Sequence, residues 1–243
     1  MKRTGWSFPL FIGLLMLASL ACTVPFLGET GGGNEPTPTP PGDTISFTIP
    51  AYNVGIPAGS SVPGTRLEYI GRNGDGFDVR IDGLPAVKYT GDSFIWNGIL
   101  APGVFGDYNL RLATVIFSEM QVAGPVKLTI LNPTPVERTD NNELQAKLHF
   151  SPALTTYYVP VGHAVPGTSV IYDGLRAPAQ GEQDSRLGAF TGLSGYPYLA
   201  AGDLLSWQGF LRDNVVVDYK LRVISVSAEG VRFGGSADIW LLP

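Results

Sequence analysis

Cysteine, histidine and charged residues are all scarce in this sequence, and each scarcity excludes a class of protein. The chain of 243 residues has one cysteine and two histidines, and only 15% of its residues are charged. A single cysteine cannot close an internal disulfide, nor can it supply a zinc site of the Cys₄ or Cys₂His₂ kind. Beyond the first 21 residues no stretch shows convincing helical periodicity, which excludes a helical fold.

Positive charge is sparse as well. The net charge is −5, and it would be −7 without Lys2 and Arg3, the only charges in the first 21 residues. Binding to a phosphate backbone requires clustered Lys and Arg, and the sequence has no such cluster. We therefore expect no nucleic-acid partner.

What is abundant indicates strands. The sequence holds 31 Gly and 20 Pro, and 44% of its residues are hydrophobic, with many Val, Ile, Thr, Tyr and Phe. This composition is globular and is typical of short strands joined by tight turns. The prediction is an all-β protein without a cofactor or a metal site.

The N-terminus has the layout of a secretory signal peptide over residues 1–21. Lys2 and Arg3 form a positive region, an apolar stretch runs from about Trp6 to Leu20, and the small residue Ala21 precedes Cys22. The run Ala18-Ser19-Leu20-Ala21-Cys22 resembles the lipobox of bacterial lipoproteins, although that family prefers Leu where this chain has Ser19.

The resemblance implies that Cys22 is the lipidation site. In that family the thiol receives diacylglycerol, the chain is cut just before the cysteine, and the new amino terminus can be acylated. The lipid bilayer is then a partner through acylated Cys22, and the protein is anchored at the cell membrane, facing the extracytoplasmic side. Two alternatives are an uncleaved signal anchor over Trp6 to Leu27 and a plain cleaved signal; both also export the rest of the chain.

Residues 22–43 are predicted to be the lipidated cysteine and a tether. From residue 28 this segment reads GETGGGNEPTPTPPGD. Gly-rich sequence is flexible and Pro/Thr-rich sequence is stiffer, so such a segment holds a domain off a membrane.

The rest of the chain contains an internal repeat. Ile56-Pro57-Ala58-Gly59 through Val62-Pro63-Gly64-Thr65 recurs as Val159-Pro160-Val161-Gly162 through Val165-Pro166-Gly167-Thr168, at an offset of 103 residues. Further on, an offset of 111 residues relates Gly91-Asp92 to Gly202-Asp203, Trp96 to Trp207, Gly98 to Gly209, Asp107-Tyr108 to Asp218-Tyr219 and Gly124 to Gly235. An insertion around residues 177–186 accounts for the difference.

The repeat predicts two tandem homologous modules, residues 44–131 and 148–243, joined by a polar linker at 132–147. We call these the first half and the second half. Each is near the common domain size, so we expect two separate domains, each with its own core, rather than one fused barrel. Each half is predicted to be a small antiparallel β-barrel or β-sandwich. Strands are expected near 45–49, 65–71, 76–81, 93–100, 107–117 and 120–131, and near 148–151, 168–173, 187–191, 204–211, 215–227 and 230–242.

No catalytic residue is assigned. His149 and His163 align with Ser46 and Ser60, so neither belongs to a shared feature, and no G-x-S-x-G motif occurs. The segment from Gly71 to Asp82 faintly resembles a calcium loop, but its first position offers no side-chain oxygen, and a hairpin turn through Asn-Gly-Asp-Gly is favoured. The recurring pairs Asp92/Asp203 and Asp107/Asp218 leave an alternative open, an envelope-glycan hydrolase using two carboxylates.

Tyrosines in the second half are the candidate binding surface. Tyr157, Tyr158, Tyr196 and Tyr198 occur where the first half has Val54-Gly55 and a shorter loop. Tyrosine offers a large amphipathic face at low entropic cost. The favoured function is therefore a pair of non-catalytic binding or scaffolding modules, with an envelope protein or glycan as ligand.

Two further predictions concern geometry. The apolar alternation changes phase near Leu112-Ala113 and near Val223-Ile224, which predicts a β-bulge at each point. Trp96 and Trp207 share a strand face with apolar neighbours and a glycine, so we expect both rings to be buried with their indole N–H groups hydrogen-bonded.

Overall fold

The structure is a computed structural model, and it describes residues 43–116, 118–140, 142–178, 180 and 186–243. These residues form strands and turns and contain no helix, which confirms the all-β prediction. Accordingly, this part of the chain holds no helix long and apolar enough to cross a membrane. The predicted signal peptide, Cys22 and most of the predicted tether lie outside the described residues.

Sixteen strands are present in the described ranges. Those of the first half and the linker are β1 (Thr44–Pro57), β2 (Ser60–Ser61), β3 (Leu67–Asn73), β4 (Gly76–Ile81), β5 (Leu84–Lys88), β6 (Ser93–Ala101), β7 (Val104–Ile116), β8 (Glu119–Leu131) and β9 (Val136–Glu137). Those of the second half are β10 (Leu148–Pro160), β11 (Ile171–Leu175), β12 (Gly188–Thr191), β13 (Tyr198–Leu199), β14 (Leu204–Arg212), β15 (Val215–Val226) and β16 (Gly230–Leu241).

One large antiparallel sheet runs through both halves. Its strand order is β6-β7-β8-β1-β10-β16-β15-β14-β9, and two smaller sheets have the orders β2-β3-β4-β5 and β11-β12-β13. The two halves meet where β1 pairs with β10, at Thr48 opposite Leu154. Counted from the outside toward this junction, the first half contributes β6, β7, β8 and β1, and the second half contributes the equivalent strands β14, β15, β16 and β10.

The same turns recur in both halves with matching hydrogen bonds. Gly59 N–H donates to Tyr69 O at 2.7 Å, and Gly162 N–H donates to Tyr172 O at 2.7 Å. The other matched main-chain bonds are Val62→Leu67 and Val165→Val170, Gly91→Leu112 and Gly202→Val223, and Asp92→Tyr89 and Asp203→Ala200. The sequence repeat thus corresponds to a repeated pattern of local structure.

The phase changes seen in the sequence correspond to bulges. In β7 the pairing with β8 shifts register between Leu112 and Thr114, and in β15 the pairing with β16 shifts between Val223 and Ser225. A one-residue slip would turn every later side chain to the wrong face unless a bulge absorbs it. Both predicted bulges are confirmed.

Both tryptophans of the repeat are core residues, as predicted. Trp96 is 6% exposed and Trp207 is 3% exposed. The Trp96 indole N–H donates to Asp82 Oδ1 at 3.1 Å, and that of Trp207 donates to Ser169 Oγ at 3.2 Å. A Cβ at Gly98 or Gly209 would overlap the neighbouring indole, so these glycines make room for the rings.

The two halves do not have separate cores, contrary to our expectation. Phe150 of β10 packs against Tyr108 of β7, with 6.5 Å between ring centroids, and Phe47 of β1 packs against Tyr219 of β15 at 6.0 Å. The buried residues form one continuous cluster, and all described residues fall in one compact unit. The physical reason is the β1–β10 pairing, which brings the inward phenylalanine of each first strand beside the aromatic residues of the other half.

The Val-Pro-Gly-Thr turn of each half also contacts the other half. A Cβ at Gly64 would lie 2.6 Å from Leu148 Cδ1, and one at Gly167 would lie 2.7 Å from Ile45 Cδ1. Both glycines have positive φ, +78° and +76°. Each turn therefore packs closely on the first strand of the other half, where a side chain would not fit.

Several strands differ from the predicted bounds. β1 and β10 continue well past residues 49 and 151, because bulges absorb a proline in each strand, between Ile49 and Tyr52 and between Phe150 and Ala153. β2, β5, β9 and β13 were not predicted. The predicted Asn-Gly-Asp-Gly hairpin is present, with Asn73 opposite Gly76.

Candidate binding surface

The four predicted tyrosines lie in three different places. Tyr157 and Tyr158 are consecutive in β10, so their side chains point to opposite faces of the sheet. Tyr157 is partly buried and its hydroxyl lies 3.4 Å from that of Tyr219, which is fully buried. Burial raises the pKa of Tyr157, and burial together with Tyr157 holds the pKa of Tyr219 well above its usual range. Tyr157 thus reaches from the sheet into the core.

Tyr158 lies on the outward face. Its side chain is 50% exposed, and the Arg232 guanidinium carbon lies 5.2 Å from its ring centroid. Arg232 is on β16 directly opposite Tyr158. A guanidinium over an aromatic ring forms a cation–π contact, so this pair presents an aromatic face beside a positive charge.

Tyr196 and Tyr198 form a second exposed group. Their rings meet edge to face with 5.3 Å between centroids, and Tyr196 is 66% exposed. The Arg176 guanidinium carbon lies 5.8 Å from the Tyr198 ring centroid. Each exposed tyrosine group therefore includes an arginine, which the sequence pattern alone did not show.

The recurring aspartates at turns are engaged locally. Asp92 Oδ2 accepts the Tyr89 N–H at 2.9 Å, and Asp203 Oδ2 accepts the Ala200 N–H at 2.7 Å. An aspartate that bonds the backbone in this way stabilises its turn. The same local role in both halves explains why these two residues recur.

The second recurring pair occupies equivalent outward positions of the large sheet. Asp107 lies opposite Lys127, whereas Asp218 lies opposite Asp238. Lys220 Nζ lies 3.7 Å from Asp218 Oδ2 and 3.8 Å from Asp238 Oδ2. The pKa of Asp218 is raised, chiefly by partial burial and also by Asp238, while Lys220 opposes the rise.

A groove between the linker and the second half was not found by sequence reasoning. It has a volume of about 390 Å³ and is lined by Arg138, Asn142, Glu143, Leu144, Gln208 and Trp240. The Trp240 ring stacks on His149, with centroids 4.8 Å apart and planes 3° apart. Trp240 lies between the buried residues Ile239 and Leu241, and this alternation was the available signal that it faces outward.

His163 Nδ1 lies 3.1 Å from Val161 O within a turn. Among the described residues, no group of three or more His, Cys, Asp or Glu side chains could hold a metal ion.

The chain matches no protein-family model, and neither a curated protein nor a solved structure is significantly similar to it.

Proposed function

We propose that this chain is a membrane-tethered extracytoplasmic lipoprotein whose two tandem homologous β-modules bind or scaffold a component of the cell envelope. The observation that carries the proposal is the N-terminal order of features. A positive region, an apolar stretch, the lipobox-like run ending at Cys22 and a Gly/Pro/Thr-rich segment follow one another directly before the folded part.

The exposed aromatic groups support a binding role. Tyr158 with Arg232, and Tyr196 and Tyr198 with Arg176, belong to the second half and contribute exposed aromatic surface. Tyrosine and arginine are enriched at protein interfaces because they combine contact area with hydrogen bonding. An envelope protein or a glycan bearing negative charge would suit these groups.

An envelope-glycan hydrolase is the alternative, and the contacts of the recurring aspartates argue against it. Asp92 and Asp203 each accept a turn amide. Asp218 and Asp238 have one feature in favour of catalysis, the raised pKa of Asp218 beside a second carboxyl group. They lie on an outward sheet face that also carries Lys220, whereas glycosidase carboxyl groups flank a bound sugar.

Binding is tested by retention of envelope fractions on the purified protein. The wild type is expected to retain a ligand that the double variant Tyr158→Ala/Tyr196→Ala loses. The matched control is Tyr89→Ala, because Tyr89 is 54% exposed but belongs to the first half. Equal retention by all three proteins would show that Tyr158 and Tyr196 are not part of the binding surface. If the wild type released soluble sugars and Asp218→Asn did not, the hydrolase would be favoured.

The tether is tested by replacing its cysteine. Cys22→Ala is expected to abolish incorporation of labelled fatty acid and either to release the protein or to leave an uncleaved precursor, because the thiol is the site of lipid attachment. The measurement combines lipid labelling, membrane fractionation and intact mass. Membrane retention at the precursor's mass, together with no label on the wild type, would support a signal anchor instead.

A further inference from the structure

One edge of the large sheet is left open. β6 is the first strand in the sheet order and pairs only with β7. Among the described residues, the opposite edge of β6 makes no main-chain hydrogen bond. An unpaired strand edge is a row of free donors and acceptors that can pair with another chain.

The corresponding edge in the second half is covered by the linker. β9 pairs with β14, the Thr134 N–H donates to Leu211 O at 2.8 Å, and the Arg138 N–H donates to Gln208 O at 2.9 Å. The repeat relates these two acceptors to Leu100 and Asn97 of β6. The same edge geometry is therefore already used for antiparallel strand addition within this molecule.

The apolar side chains on the outward sheet face next to these two edges also differ in exposure. In the second half Val216 is fully buried and Phe210 is partly buried. Their counterparts in the first half are Phe105, which is 40% exposed, and Ile99, which is 65% exposed. The first half thus leaves exposed an apolar pair that the second half covers.

β6 also lacks the features that usually protect an edge. Its nine residues, SFIWNGILA, contain no charge and no proline. By contrast, β5, which ends the small sheet of the first half, carries Pro85 and Lys88, and β9 at the far end of the large sheet has two residues. A long, uncharged edge strand with exposed apolar side chains favours strand pairing.

We propose that β6 is a dimer interface, at which β6 of one molecule pairs antiparallel with β6 of another about a two-fold axis at Asn97. The outward residues Ile95, Asn97 and Ile99 form a strip along β6. This strip is self-complementary, because the proposed register sets Ile95 opposite Ile99 of the other molecule. An isologous contact needs such self-complementarity and closes at two copies. The chain's own segment 28–42 is a poorer occupant, since four of its residues are proline and donate no main-chain hydrogen bond.

The full-length protein in detergent is measured by light scattering coupled to size-exclusion chromatography. The wild type is expected to form dimers and no larger species. Ile99→Lys is expected to weaken the dimer about tenfold or more, because it brings charge into the paired strip. Ile224→Lys is the matched control, since Ile224 is 56% exposed on the internal strand β15, and its dimer should be unchanged.

A crosslinking experiment tests the register. Asn97→Cys is expected to give a disulfide-linked dimer on mild oxidation, because the two-fold axis places both copies of residue 97 opposite each other. Asn109→Cys, exposed on the neighbouring strand β7, and the wild type with Cys22 alone should give much less. A monomeric wild type, larger open assemblies, or an equal effect of both lysine substitutions would overturn the proposal.

Discussion

Trp96 and Trp207 show how a single residue type anchors each half. Each ring lies over a glycine two residues further along its strand, and each indole N–H has a polar partner from the neighbouring small sheet or turn. The partners differ, Asp82 in one half and Ser169 in the other. The repeat thus preserves the apolar packing while the hydrogen bond is supplied from different positions.

Replacing Trp96 or Trp207 by alanine is expected to lower the free energy of unfolding by about 3–5 kcal/mol. The loss combines the removed apolar contacts with the cavity left beside Gly98 or Gly209. Chemical denaturation followed by far-UV circular dichroism measures it. Ile224→Ala, at an exposed position, is the control, and a loss no larger than that of the control would contradict the core assignment.

Asp218 gives stability a pH dependence. Its pKa is raised in the folded protein, mainly by partial burial. Ionisation of Asp218 therefore lowers the free energy of unfolding as the pH rises above the pKa that this residue has in the unfolded chain. Asp218→Asn is therefore expected to be more stable than the wild type at pH 7. The difference should vanish at acidic pH, below the ordinary pKa of aspartate, where the carboxyl group is protonated in both the folded and the unfolded protein. Thermal unfolding at several pH values checks this, and an Asn variant that is less stable at pH 7 would refute it.

Among the strands, β8 approaches β7 closely at one glycine, and β16 approaches β15 closely at the equivalent glycine. A Cβ at Gly235 would overlap the carbonyl oxygen of Lys220, and one at Gly124 would overlap that of Asn109. The two glycines are equivalent in the repeat, and each obstacle is backbone that cannot rotate away. This close approach explains why glycine recurs at these positions of β8 and β16.

Gly124→Ala and Gly235→Ala are each expected to destabilise the protein by about 2–3 kcal/mol, because the strand pair must separate to admit the methyl group. Gly71→Ala on β3 is the matched control, since a Cβ there meets nothing within 4 Å. The readout is the unfolding midpoint in denaturant. If the two variants match the control, the strands can adjust without cost.

At the scale of the whole molecule, the reciprocal core makes the halves depend on each other. Phe47 packs on an aromatic residue of the second half and Phe150 on one of the first. The Val-Pro-Gly-Thr turns cross in the same reciprocal way. Each half on its own would expose the phenylalanine of its first strand and would lack the phenylalanine that the other half packs into its core.

Separately produced fragments 43–132 and 133–243 are therefore expected to show no cooperative unfolding alone and to regain it when mixed. Circular dichroism and calorimetry on each fragment and on the mixture measure this. The uncut protein is the reference. Two fragments that each unfold cooperatively by themselves would show instead that the halves are separate domains, as the repeat alone had suggested.

Local sequence patterns were sufficient to predict the all-β class, the bulges in β7 and β15 and the burial of both repeat tryptophans. These follow from composition and from period-two alternation, which are local properties of each strand. The candidate site was only partly predictable, since alternation separates Tyr157 from Tyr158 but does not show which arginine lies over a ring. The shared core of the two halves, and the pairing of β9 with β14 while β6 stays open, emerge from the three-dimensional fold. Strand partners far apart in sequence decide these features, and no local pattern encodes which of two equivalent edges a linker will cover.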